Sequence, residues 1–145
     1  MSDLETSSMT INDLEEIESI LTSDFDDFWT YNILKSELEN PLSHYIVIKQ
    51  NKQIIGFAGI LDTCDQMEIT NIVVKKSFRN KGIGNILLKE LIRLSKGKDN
   101  IYLEVNTKNI IAIRLYEKNG FKKCGLRKKY YNNTDDAILM NLKIN

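Results

Sequence analysis

Proline, histidine, tryptophan and cysteine are scarce in this chain of 145 residues, which has one Pro41, one His44, one Trp29 and the two cysteines Cys64 and Cys124. The cysteines are far apart and show neither metal-ligand spacing nor a disulfide framework. They read as reduced thiols, in or near the core, of a cytosolic protein. His44 stands alone before an apolar strand and reads as structural or surface, so neither a metal site nor a Cys-His nucleophile is expected. No apolar run reaches membrane-spanning length, and the first residues show no basic region followed by an apolar core. The expectation is a cytoplasmic protein with no membrane partner. Formal charge is zero, which removes any global reason to expect nucleic acid.

What is present bounds the answer further. A chain of this length forms one domain, residues 1–145, and buries roughly 70% of the surface its unfolded form exposes. Charge is segregated: residues 1–45 hold eleven Asp and Glu against Lys35, and residues 75–98 hold eight Lys and Arg against Glu90. The acidic part suits a cationic substrate or simply forms solvated helix faces; the basic part suits phosphates.

Thr10 and Asp13 form an N-cap pair ahead of a helical stripe, Ile11, Leu14, Ile17, Ile20 and Leu21, after a short strand over Leu4 to Ser7. A second helix runs from Thr30 to Glu39 and stops at Asn40-Pro41. Between them lies an acidic aromatic loop, Phe25-Asp26-Asp27-Phe28-Trp29, whose rings either fold back as local core or face a substrate. Residues 45–48 and 54–60 flank Gln50-Asn51-Lys52 as a hairpin, and Met67 to Val74 is the next strand. A long helix then covers Gly82 to Lys96, a strand Ile101 to Val105, and a helix Ile110 to Lys118 ended by Asn119-Gly120. Two last strands lie around residues 121–128 and 137–143. The fold class is α/β, mixed α+β: a central, mostly antiparallel sheet flanked by about four helices.

The segment Arg79-Asn80-Lys81-Gly82-Ile83-Gly84 joins a β-branched strand to an apolar-periodic helix. Such a turn leaves backbone N–H groups unpaired at the positive end of the helix dipole, a ready site for a phosphate. Two glycines also make a tight strand-to-helix turn without any ligand. The spacing is neither that of a nucleotide P-loop nor that of the dinucleotide fingerprint. In the following strand, alternation places Tyr102, Glu104 and Asn106 on one face and Ile101, Leu103 and Val105 on the other. Tyr116 falls one helical turn after Ala112 and Ile113, on the side turned toward the sheet.

Arg79 through Gly84 resembles the acetyl-coenzyme A pyrophosphate loop of the GCN5-related N-acetyltransferase (GNAT) family, with Lys75-Lys76 where a proline often stands. Leu103-Glu104-Val105, Asn109, Leu115-Tyr116-Glu117 and Gly120-Phe121 resemble its second signature, in the form of the RimI-type branch. The tail is similar too, in Arg127, Tyr130-Tyr131, Asp136-Ala137 and Met140; Phe28 precedes Trp29 in place of the usual proline. The resemblance covers residues 20–143. It implies an acetyl-coenzyme A dependent enzyme that acetylates the N-terminal alanine of a small-subunit ribosomal protein by direct transfer through a tetrahedral intermediate, and we take it as a monomer.

In that comparison Glu104 is the general base, through a water, and Tyr116 the general acid that protonates coenzyme A. The cofactor would be held by Ile72, Val73, Val74, Arg79, Asn80, Lys81, Gly82, Ile83, Gly84, Asn85, Asn109 and Tyr116. The peptide would be held by Trp29, Tyr130 and Tyr131. A free Glu titrates near about 4.3, an α-amine near about 7.7–8.0 and a lysine near about 10.4, so the α-amine is the easier acceptor to deprotonate. Two other readings stay open: a small-molecule amine or lysine side chain as acceptor, and a non-catalytic acyl-coenzyme A binding module.

Overall fold

The computed structural model describes residues 3–26, 28–131 and 134–144, without the side chains of residues 129–131. Seven strands make one sheet: β1 (Leu4–Ser8), β2 (Ser43–Gln50), β3 (Gln53–Asp62), β4 (Gln66–Val74), β5 (Asn100–Asn106), β6 (Lys122–Tyr131) and β7 (Asp135–Lys143). Their order is β1-β2-β3-β4-β5-β7-β6. All neighbours are antiparallel except β4 and β5. The β2–β3 hairpin turns through Asn51 and Lys52, both at positive φ (50° and 69°), the backbone hand that matches strand twist.

Four α-helices cover the two faces: α1 (Ile11–Ile17), α2 (Tyr31–Glu39), α3 (Ile83–Leu94) and α4 (Ile110–Lys118). The stripe Ile83, Leu87, Leu88 and Leu91 buries α3 against Ile48, Ala58, Ile60, Met67 and Ile69 of the sheet. Each of these Leu, Ile and Met side chains contributes about 1.5–3 kcal/mol by leaving water. Tyr116 of α4 and Phe121 join this same layer, their rings in an edge contact at 5.8 Å. On the opposite face Leu14, Ile17 and Leu34 of α1 and α2 pack on Val47, Ile54, Phe57 and Val73. The sheet is thus the middle of three layers.

Expected and observed elements differ in three places. The stripe through Leu21 does not stay α-helical: α1 passes into a 3-10 turn (Glu18–Ile20) and then a π turn (Leu21–Phe25) closed by Asp26 N–H to the Leu21 carbonyl at 3.0 Å. The wider turn delivers Phe25 to the core beside Phe57, ring centroids 5.8 Å apart. Both cysteines are exposed rather than in the core. Cys64 sits in a turn at φ 77°, and Cys124 is the bulged residue between Lys123 and Gly125 on the edge strand β6. Third, β4 carries a bulge: Gly59 opposes Asn71 and Ile60 opposes Ile69, leaving Thr70 extra. The bulge changes the phase of the strand. Met67 and Ile69, then Ile72 and Val74, pack on the α3 side, while Asn71 and Val73 turn to the α1/α2 side.

Candidate active site

β4 and β5 pair at Gln66–Asn100, Met67–Ile101 and Glu68–Tyr102 and no further. Yet β4 stays on β3 as far as Val74, and β5 stays on β7 as far as Asn106. The two strands therefore part, and their facing edges leave backbone donors and acceptors without a ladder partner. Asp135 anchors the open end of β5: it accepts from Asn106 Nδ2 at 3.0 Å and pairs with Lys108 Nζ at 2.8 Å.

A cavity of about 620 Å³ opens over the parting on the α3 side. Its walls are Ile72, Val73 and Val74 of β4; Phe78, Arg79, Asn80, Gly82, Ile83, Gly84 and Asn85 of the turn and α3; and Asn109, Ile111, Ala112, Arg114, Leu115, Tyr116 and Lys118 of α4 and its cap, with Asp26 at one side. Every residue expected to hold the cofactor lines it except Lys81, whose ammonium lies 5.5 Å from the Phe78 ring centre. Asn109 caps α4, its Oδ1 accepting the Ala112 N–H at 3.2 Å.

The turn has the form an anion needs. Gly82, the N-cap of α3, has φ 81°, and no side chain caps the helix. A Cβ on Gly82 would meet nothing within 4 Å, so the glycine is there for its backbone hand and its openness. The first-turn N–H groups of α3 have no side-chain capping acceptor, and Gly82, Ile83, Gly84 and Asn85 line the cavity, an arrangement that suits an anion. Arg79 is only partly available for this: Nε donates to the Val74 carbonyl at 3.0 Å and Nη2 to the Phe25 carbonyl at 2.7 Å.

Glu104 lies on the other face of the sheet, where alternation places it. Its Oε1 accepts from Arg127 Nη2 at 2.7 Å; Oε2 is buried and has no hydrogen-bond partner among the described residues. Beside it, the Glu68 carboxyl is pushed up, chiefly by burial and then by the Glu104 charge, with Arg127 pulling the other way. Tyr45 packs its ring over Gly59, and its hydroxyl is 3.1 Å from Thr70 Oγ1. Burial raises that phenol to about 12, against the opposing bond to Thr70. Asn71 lies near the same hydroxyl without a hydrogen bond of good geometry to it.

Trp29 is half-buried against the α1/α2 core on this face, its ring 5.3 Å from that of the exposed Phe28. The side chains of Tyr130 and Tyr131, and Asp27, lie outside the described residues. The structure thus places a cavity bearing Tyr116 on one face of the sheet and Glu104 on the other, at the end where the two strands part. Sequence reasoning missed three members, Glu68, Asn71 and the Arg127 partner of Glu104. Asn71 could have been flagged, because an amide within the β-branched run from Ile69 to Val74 runs against strand preference. Among the described residues no group of three or more His, Cys, Asp or Glu is placed to hold a metal ion, and no helix is long and apolar enough to cross a membrane.

Comparison with known proteins bears on the family and the fold. Residues 10–121 match the model of the acetyltransferase (GNAT) family. A Bacillus subtilis (strain 168) protein provisionally named ribosomal protein bS18-alanine N-acetyltransferase is 37% identical over 141 residues, 94% of this chain and 93% of its own length. The crystal structure of the Escherichia coli ribosomal-protein-S18-alanine N-acetyltransferase superposes with a TM-score of 0.88 at 29% identity, covering 97% of this chain and 94% of that one. A Bacillus anthracis (strain Ames) protein provisionally assigned as a streptothricin acetyltransferase, solved with acetyl coenzyme A, has a TM-score of 0.68 at 26% identity over 77% of this chain and 68% of its own. With the family match spanning most of the sequence and the fold shared throughout, the chain belongs to the acetyltransferase (GNAT) family, whose acetyl donor is acetyl-coenzyme A.

Proposed function

We propose that the protein transfers an acetyl group from acetyl-coenzyme A to the free α-amine of an N-terminal alanine on a small-subunit ribosomal protein. The observation that carries this is the parting of β4 from β5, with the cavity bearing Tyr116 on one face of the sheet and Glu104 on the other. The relatives named for bS18-alanine acetylation support the choice of acceptor. The reading takes the enzyme as a monomer of one domain acting in the cytoplasm, with no nucleic acid or membrane at the site.

When bound, acetyl-coenzyme A supplies the acetyl group as a thioester. Its diphosphate is assigned to the α3 N-terminus with Asn80, Lys81, Gly82, Ile83, Gly84 and Asn85, and its arm to Ile72, Val73, Val74 and Asn109. Backbone N–H groups around Ile72–Val74 would polarise the reacting carbonyl, and one such donor is worth about a hundredfold to a thousandfold. Arg127 fixes Glu104 through Oε1, leaving Oε2 to take the proton of the acceptor amine, directly or through a water. Tyr116 returns a proton to the departing sulfur. Trp29, Tyr130 and Tyr131 are assigned to the peptide.

The test is mass spectrometry of ribosomal-protein N-terminal peptides incubated with the protein and acetyl-coenzyme A. Peptides with a blocked α-amine and a free lysine run in parallel. One acetyl group confined to free α-amines is the expected result. Modification of lysine or of small amines alone would move the acceptor to those classes, and coenzyme A binding with no turnover would make the protein a binding module.

A further inference from the structure

Three buried side-chain atoms have no hydrogen-bond partner among the described residues: Oδ1 and Nδ2 of Asn71 and Oε2 of Glu104. They sit on the two strands that part, Asn71 on β4 and Glu104 on β5. They also share one sheet face, because the bulge at Thr70 turns Asn71 away from α3 while alternation does the same for Glu104. Asn71 is 8% exposed and lies in a run of apolar residues, where an amide has no packing advantage. Across the strand pair, the Tyr45 ring fills the space over Gly59, the residue paired with Asn71, so closely that a Cβ there would come within 2.2 Å of it.

An amide offers one acceptor and one donor side by side. We propose that Asn71 binds the acceptor by reading an amine together with the carbonyl next to it. Oδ1 accepts an N–H of the α-amine, Nδ2 donates to the carbonyl oxygen of the first residue, and Glu104 Oε2 faces the same nitrogen. Only a chain terminus has an amine and a carbonyl on one carbon; a lysine ε-amine has none within reach. Asn71 is therefore assigned as the residue that selects α-amines over lysines. This rests on the acceptor reading given above.

The experiment compares wild type with Asn71→Leu, of similar volume, and Asn71→Ser, smaller and polar, on two acceptors. One is an alanine-initiated peptide; the other is isopropylamine, which keeps the alanine methyl and amine but lacks the carbonyl. The expected result is a loss in kcat/KM of about 10- to 100-fold on the peptide. It should be carried mainly by KM, with a smaller loss on isopropylamine, which has only the amine bond to Oδ1 to lose, and unchanged coenzyme A affinity by calorimetry. A destabilised core would instead reduce both acceptors and donor binding together, and that pattern in both variants overturns the proposal. Peptide turnover equal to wild type in either folded variant overturns it as well. If wild type itself modifies no α-amine peptide, the acceptor reading fails and this one falls with it; if wild type does and the variants match it, only the role of Asn71 falls.

Discussion

Arg79 binds the backbone of Phe25 from 54 residues away, Nη2 to carbonyl oxygen at 2.7 Å, while its Nε holds the Val74 carbonyl at 3.0 Å. One guanidinium thereby ties the end of β4, on the donor cavity, to the π turn that leads into the loop before Trp29. Two donors in a rigid fork are needed, which a lysine cannot supply. Arg79→Lys keeps the charge beside the proposed phosphate site and removes the strut. The expected outcome is a loss of about 1–2 kcal/mol in urea denaturation of the ligand-free protein, discounted for the exposure of the side chain. Unchanged stability with weakened coenzyme A binding would instead make Arg79 a phosphate ligand and nothing more.

Glu104→Gln and Tyr116→Phe test the proposed proton transfers. Each variant keeps size and shape while removing the group that takes or gives the proton, and each should lower kcat by about a hundredfold or more. Coenzyme A affinity measured by calorimetry should stay within a few-fold of wild type for Glu104→Gln, since Glu104 does not line the donor cavity. Near-normal turnover in either variant would remove the role given to that residue.

The two glycines of the loop separate the turn from the ligand site. Gly82 is at φ 81°, where an alanine costs about 1–2 kcal/mol, so Gly82→Ala should melt lower. Gly84 is in the first turn of α3, and an added Cβ would lie 3.5 Å from Leu115 and 3.9 Å from Val74, ordinary contacts on the cavity wall. Helix preference there favours alanine by up to about 1 kcal/mol. Gly84→Ala should therefore melt no lower than wild type yet bind coenzyme A about tenfold more weakly, by a methyl in the path of the diphosphate. Normal affinity in Gly84→Ala would reduce the loop to a turn.

Local signals account for most of the fold. Thr10, Thr30 and Asn109 each cap a helix through a side-chain oxygen, as their positions indicate. Gly120, at φ 94°, follows α4 as a left-handed stop. What could not be read is set by distant partners. The π turn exists because Phe25 packs on Phe57 of β3, and nothing near residue 21 encodes that neighbour. The bulges at Thr70 and Cys124 depend on register with β3 and β7, so the exposure of Cys124 and the orientation of Asn71 were both hidden. At the site, alternation gave the face of Glu104 correctly, whereas its pairing with Arg127 arises from a strand 23 residues later that adds to the sheet through β7.

Asp13 is where a local motif becomes a pH dependence. Thr10 N–H donates to its Oδ2 at 2.8 Å, its own N–H donates to the Thr10 hydroxyl at 3.1 Å, and Lys49 Nζ lies 3.1 Å from Oδ1. Burial alone would raise this carboxyl, but the Thr10 N–H, Lys49 and the Thr10 hydroxyl outweigh it and hold it below the usual aspartate range. A depressed carboxyl binds fewer protons folded than unfolded. Its contribution is therefore complete above the unfolded value near about 3.9 and is lost as pH falls through the lower folded value. Asp13→Asn removes the charge and keeps the shape, so it should cost about 1 kcal/mol at neutral pH, the usual size of a cap. As pH falls below that unfolded value and wild-type Asp13 takes up its proton, the difference in urea midpoint between the two proteins should shrink toward zero. A gap that stays constant across that range would mean that the cap acts through shape alone and that the Lys49 pair contributes nothing.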